Sequence, residues 1–218
     1  SGNPKPRIFR YQEIGALINR MGFNNLGSDA TFEILANRSR RIPLGINIGK
    51  TKNVPIENAL GDYVKSYKKL YSMCDYIAIN ISSPNTPGLR SLQQKEELSE
   101  LMSGLKKELG GKFPIPTFIK FAPDLTDSQF EELLDVVLDA GVQGIILTNT
   151  TLDKSSLSGV PIEEGGLSGK PVREKSTHLI RLARQKLKKR ISIIGVGGID
   201  SGESALEKIL AGSDLIQI

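Results

Sequence analysis

Residues 75–92 read DYIAINISSPNTPGLRSL. The apolar run Tyr76-Ile77-Ala78-Ile79 reads as a buried strand that ends at Asn80, because Pro84, Pro87 and Gly88 forbid its continuation. Polar side chains therefore gather at the carboxyl end of a strand, where parallel α/β proteins build their sites. A turn rich in Ser, Asn and Pro would use the same residues. Asn80, however, is still on the strand, and a turn does not need a polar side chain there. That placement points to a bound ligand.

Working outward, strand-like apolar runs recur at 42–48, 76–81, 117–121, 144–148, 191–196 and 213–218. Helix-like stretches lie between them at 56–73, 93–109, 126–140, 173–189 and 202–211. This alternation predicts βα units around a parallel sheet, within a single domain over residues 1–218. Nearly every strand ends in polar or glycine residues: Asn47, Asn80, Lys120 with Asp124 beyond it, Thr148 with Asn149, and Gly197 with Gly198. An open doubly wound sheet needs such ends only at its switch point. The expectation is a (β/α)8 TIM barrel of which about six of eight βα units are present, the first two strands being absent. Before the first unit, residues 1–10 read as a Pro-containing lead-in. Residues 11–18 and 29–38 read as short helices, the second opened by Ser28 and Asp29 as caps. Residues 151–172 show no period and read as one long loop, a length that is usually functional.

With 218 residues, 39% of them hydrophobic, the composition is that of a soluble globular domain with a sizeable core. No run approaches the roughly 20 apolar residues of a membrane span, and no signal peptide is visible. The chain begins without a Met, so its natural start is expected to lie elsewhere. One cysteine, Cys74, excludes an internal disulfide, and with His178 it leaves little for a zinc site. The formal charge is +5, but basic residues are interleaved with acidic ones. The densest basic run, Lys186 to Arg190, ends an expected helix, where cations suit the dipole. Without Trp there is little to stack bases on, so no nucleic-acid partner is expected.

Several stretches carry chemistry. Gly195-Val196-Gly197-Gly198-Ile199 follows a strand and precedes a helix opened by Ser201 and Gly202, a setting in which backbone N–H groups can approach a phosphate. A plain glycine-rich turn is the other reading, and the spacing does not match a dinucleotide fingerprint. Lys120 lies on the strand face opposite Ile119 and Phe121, toward the barrel interior if that pair faces the helices, where a cation suits an anionic cofactor; a lysine snorkelling at a strand edge is the alternative. Asn19, Asn47, Asn80, Asn85 and Asn149 all lie beside strand tips or Gly-rich loops. Amides donate and accept, so a ring of them fits a heterocycle with alternating N–H and C=O groups. Each alone could be a turn residue. A Ser-His-Asp triad at Ser83 would need His178, which sits in a helix away from the strand tips.

The stretches NRMGFNN (19–25), GINIG (45–49), NISSPNTPGLRSL (80–92), KFAPD (120–124), TNTT (148–151), GGLSGKP (165–171) and GVGGI (195–199), in this order, resemble dihydroorotate dehydrogenase, most closely its quinone-linked class 2. The resemblance implies an FMN barrel that oxidises (S)-dihydroorotate to orotate in pyrimidine synthesis, a base taking a proton from C5 while C6 gives a hydride to the flavin. It implies Ser83 as that base. It implies Asn19, Arg20, Met21, Gly22, Phe23, Asn80, Asn85, Asn149 and Thr150 at the substrate, the stretch from Arg20 to Phe23 through its backbone. It implies Asn47, Asn80, Lys120, Thr148, Ser168, Gly169, Gly197 and Gly198 at FMN, and no metal.

The family also has two earlier strands with an Ala-Gly flavin loop and a substrate-binding lysine, a Tyr-Ser or Tyr-Thr pair on the FMN phosphate, and a helical pair that admits quinone. None of these is in the sequence read. The resemblance thus implies membrane association of the full-length protein, at the bacterial cell membrane's cytoplasmic face or the mitochondrial inner membrane, through a segment absent here. Residues 1–218 alone are expected to hold FMN poorly, to turn over no substrate and to self-associate. The competing readings are another FMN barrel acting on a pyrimidine, which a Cys in the loop after Asn80 would favour, and a barrel remnant without turnover.

Overall fold

Side-chain alternation along the central strands decides what each face of the sheet meets. In the computed structural model, which describes residues 2–39 and 42–218, the chain runs β1 (Ile8–Tyr11), β2 (Ala16–Asn19), α1 (Ser28–Ala36), β3 (Gly45–Gly49), α2 (Ala59–Leu70), β4 (Tyr76–Asn80), α3 (Lys95–Glu108) and β5 (Thr117–Phe121). It continues through α4 (Asp127–Ala140), β6 (Gly144–Leu147), β7 (Gly166–Gly169), α5 (Arg173–Leu187), β8 (Ser192–Val196), α6 (Gly202–Ala211) and β9 (Leu215–Gln217). Six strands pair in parallel in the order β3-β4-β5-β6-β8-β9. Ile77, Ile79, Ile119, Phe121, Ile145, Leu147 and Ile193 point outward into one core with Tyr63, Leu98, Phe130, Leu134 and Ile180 from the helices. Each such buried side chain contributes about 1.5–3 kcal/mol. The alternate residues Ala78, Phe118, Ile146 and Ile194 form a smaller cluster on the inner face. With helices on one face only, the sheet is a curled half of a barrel, whose edge strands among the described residues are β3 and β9.

All six expected parallel strands are present, with ends shifted by a few residues, and so are the five helices between them. Two of those helices start on capping boxes: Thr126 Oγ1 accepts from Gln129 N at α4, and Ser201 Oγ from Ser204 N at α6.

The opening of the chain differs from expectation. Residues 11–18 are not a helix: a single 3-10 turn, Gln12–Ile14, ends at Gly15 with φ 61°, and β2 follows. Nor are residues 1–10 merely a lead-in, since Ile8–Tyr11 forms β1; Ser1 lies outside the described residues. β2 pairs antiparallel with β1 on one side and β7 on the other. Strand β7 therefore lies inside what read as one loop, 151–172, where its four residues GLSG gave no period. At α1 the expected caps are displaced: Gly27 is the N-cap, Ser28 the first helical residue, and the helix ends at Ala36. Among the described residues no helix is long and apolar enough to cross a membrane.

Candidate active site

The antiparallel trio β1-β2-β7 covers the carboxyl end of the half-barrel. The two meet closely at Gly166, where a Cβ would come 2.0 Å from Thr150 Oγ1 and 2.8 Å from Pro84 Cγ. Only glycine lets β7 rest on the loops that follow β4 and β6.

Beneath that contact, amides and hydroxyls from three elements interlock. Asn149 Nδ2 donates to Ser82 Oγ at 3.0 Å and to Asn80 Oδ1 at 3.3 Å. Asn80 Oδ1 also accepts from Ser82 N and Ser82 Oγ. Asn85 Nδ2 donates to Asn19 O at 3.0 Å and Asn19 Oδ1 at 3.2 Å, tying the β4 loop to the tip of β2. Asn149 Oδ1 accepts from Thr150 N at 2.8 Å. Ser83 is buried, and its Oγ accepts from Asn85 N at 3.3 Å. Behind the strand tip, Tyr63 donates from its hydroxyl to Asn80 O at 2.8 Å; burial holds that phenol protonated, its pKa raised above the usual range.

The structure thus brings Asn19, Asn80, Ser83, Asn85, Asn149 and Thr150 together. The segment after Asn19 is partly committed elsewhere. Arg20 N donates to Arg7 O and Met21 O accepts from Asn3 N. The Arg20 guanidinium turns outward to Pro6 O and Glu163. Gly22 and Phe23 both adopt positive φ, and Phe23 packs over Gly49.

On the inner face, Asn80 and Lys120 are register partners and Asn47 stands exposed on β3. Lys120 Nζ reaches Gln217 Oε1 at 3.4 Å. Burial lowers its pKa, and among the described residues no carboxylate pairs with it. Thr148 is buried, its N donating to Val196 O and its Oγ1 to Asn149 O. Gly197 and Gly198 carry φ of 119° and 69° between β8 and the N-terminus of α6. Ser168 and Gly169 end β7, and the turn Lys170–Val172 leads straight to the contact of Val172 with Gly197. Lys208 braces this region from α6: its Nζ donates to Arg173 O and Thr177 Oγ1, and burial pulls its pKa down to about 8.

Sequence reasoning gave no role to Arg90, and noted Asp124 only as a polar residue beyond a strand tip. Arg90 donates to Ser82 O at 2.9 Å, Thr150 O at 2.7 Å and Asp124 Oδ2 at 2.6 Å. Opposite charges just past two neighbouring strand tips were the signal that could have found them.

The dihydroorotate dehydrogenase family model matches residues 1–218. Among curated proteins, the dihydroorotate dehydrogenase (quinone) of Proteus mirabilis is 50% identical, and that of Vibrio vulnificus 48%. Each comparison covers the whole of this chain and 67% of the relative, so the chain spans about two thirds of the length of these proteins. Among solved structures, DHODH from Eimeria tenella in complex with ferulenol superposes with a TM-score of 0.88 at 36% identity, over 100% of this chain and 65% of that one. The ligand-free form gives a TM-score of 0.90 at 34% identity, covering 68% of that chain. On sequence and on fold alike, the chain belongs to the dihydroorotate dehydrogenase family.

Proposed function

We propose that the protein containing this chain oxidises (S)-dihydroorotate to orotate, with FMN as hydride acceptor and a quinone as final acceptor, in de novo pyrimidine synthesis. The observation that carries this reading is the interlocked set Asn19, Asn80, Ser83, Asn85 and Asn149 at the tips of β2, β4 and β6. The names of the relatives in Proteus and Vibrio supply the reaction and the quinone. Use of a quinone associates the protein with a membrane surface, the bacterial cell membrane or the mitochondrial inner membrane. Residues 1–218 act as one domain of that enzyme.

The residues present fit FMN. A half-buried lysine that pairs with no carboxylate among the described residues, level with Asn80 at the strand tip, suits the anionic edge of a flavin. Positive-φ glycines before a helix N-terminus suit its phosphate. Asn47, Asn80, Lys120, Thr148, Ser168, Gly169, Gly197 and Gly198 would hold the group. When bound, FMN supplies hydride acceptance and passes the electrons to the quinone.

This chain's own side chains do the remaining work. Asn19, Asn80, Asn85, Asn149 and Thr150 orient the substrate's ring amides and carboxylate, with the backbone from Arg20 to Phe23 closing over it. Ser83 Oγ, held beside the Asn85 amide, takes the proton from the ring carbon as its own hydroxyl proton passes on to a water in the site. The β1-β2-β7 trio keeps bulk water from that proton. A pyrimidine-acting barrel with a cysteine base is less well matched, since position 83 is serine.

In the full-length enzyme, Ser83→Ala is expected to retain FMN, seen as unchanged flavin absorbance per protein. Flavin reduction by dihydroorotate in single turnover should slow by about 10²–10⁴. An unchanged rate would remove Ser83 from the mechanism.

A further inference from the structure

Arg90 sits in a 3-10 turn, Leu89–Gln93, that follows the β4 loop. Each of its three nitrogens donates to a different loop at the carboxyl end of the sheet. Nε goes to Ser82 O in the β4 loop, Nη1 to Asp124 Oδ2 after β5, and Nη2 to Thr150 O after β6. Asp124 in turn accepts from Thr151 Oγ1 and, at 2.9 Å, from Leu152 N, and Lys175 of α5 approaches it at 3.9 Å. Arg90 and Asp124 are both largely shielded, with side-chain exposures of 19% and 23%. The two carbonyls held by Arg90 belong to the residue just before Ser83 and the residue just after Asn149. A guanidinium is a planar fork whose donors diverge at fixed angles, so one group can set the spacing of three loops.

The geometry points to Arg90 as a positioning residue for proton abstraction, with Asp124 as the group that fixes its guanidinium. It sets the β4 loop against the β6 loop, so that Ser83 Oγ and the Asn149 amide address one substrate ring together. This deepens the proposed function and rests on its assignment of Ser83 as the base. A lysine at position 90 keeps the charge but cannot serve all three acceptors from one ammonium.

The test uses the full-length enzyme with FMN bound. Arg90→Lys is expected to keep its flavin and its melting temperature near those of the unaltered enzyme. Flavin reduction by dihydroorotate should slow by about 10²-fold, the scale for misplacement of a reacting group by about 1 Å. Orotate affinity, read by calorimetry, should weaken. Added to Ser83→Ala, Arg90→Lys should cost much less than it does alone, because part of its effect acts through the group already removed. Asp124→Asn, which preserves shape, should reproduce the Arg90→Lys pattern more weakly. If Ser83→Ala slows reduction and Arg90→Lys does not, the positioning role is overturned while the base assignment survives. If Ser83→Ala itself leaves reduction unchanged, both fall. An additive double variant, or loss of flavin in both Arg90→Lys and Asp124→Asn, would make the pair a general brace of the fold and overturn the inference.

Discussion

Along β5, Ile119 and Phe121 point one way and Phe118 and Lys120 the other. The outward pair is buried in the outer core, Phe121 against Phe130 of α4, and needs only shape and apolarity. The inward pair divides by depth: Phe118 joins a small apolar cluster near the amino end, whereas Lys120 stands level with Asn80 at the tip. One strand of five residues thus serves two demands. Stability is concentrated on one face, and the other is left free to carry charge that folding does not require.

Two substitutions one residue apart should separate these roles. The larger effect on stability belongs to Phe121→Ala. Phe121 is fully buried and meets Phe130 edge-to-face at 5.8 Å between ring centroids, so its loss is expected to destabilise by about 3–5 kcal/mol in denaturant unfolding. A loss under about 1 kcal/mol would mean that the outer core tolerates a void of this size.

Lys120→Met should behave in the opposite way. Losing a charge-assisted contact worth about 1.5–3 kcal/mol, FMN binding should weaken by roughly 10–100-fold in Kd. The apoprotein should unfold no more readily than the parent at neutral pH. The sign follows from burial, which lowers the Lys120 pKa from its ordinary 10.5, so that folding disfavours the charged form. That penalty is complete below the folded-state pKa and fades as pH rises toward 10.5, so this group makes the apoprotein gain stability across that alkaline window. In Lys120→Met the gain should vanish. Equal pH profiles for parent and variant, with unchanged FMN affinity, would reduce Lys120 to an ordinary strand residue.

The same contrast explains what could be read from the sequence. The parallel strands announced themselves because their apolar residues are buried on both faces, giving runs such as Tyr76 to Ile79 and Gly144 to Leu147. The site was legible where polar residues interrupt such runs at their ends, at Asn80, Lys120 and Thr148. The antiparallel trio was not. β1 and β2 are four residues each, and the apolar spacing across Tyr11, Ile14 and Ile18 imitates a helical face. What breaks the helix is Gly15 in the left-handed region, together with a partner strand far along the chain. Nothing local in Gly166-Leu167-Ser168-Gly169 announces a strand, since its ladder is supplied by β2. Arg90 escaped for a related reason: its partners lie on three loops that only the folded sheet brings side by side.

The pairing of β2 with β7 also bears on the order in which the molecule assembles. Ser168 Oγ meets Leu17 O across 151 positions of chain, whereas β3 and β4 pair over about one βα unit. Loop closure favours the short-range pairings, so the half-barrel can grow unit by unit while the covering strands must wait for both distant segments. Once formed, the cover rests on four-residue strands and a small cluster of Ala16, Ile18, Leu157 and Leu167. A cover with so little buried apolar area is expected to detach as one piece while the parallel sheet persists. Amide exchange should show the bonded amides of β2 and β7 opening at one shared rate, faster than those of β5 and β6. Protection in the cover equal to that in the sheet would instead mean that the whole molecule opens together. If the cover does part alone, the last region to fold is the one that opens over the buried serine, and ligand entry becomes a local unfolding equilibrium.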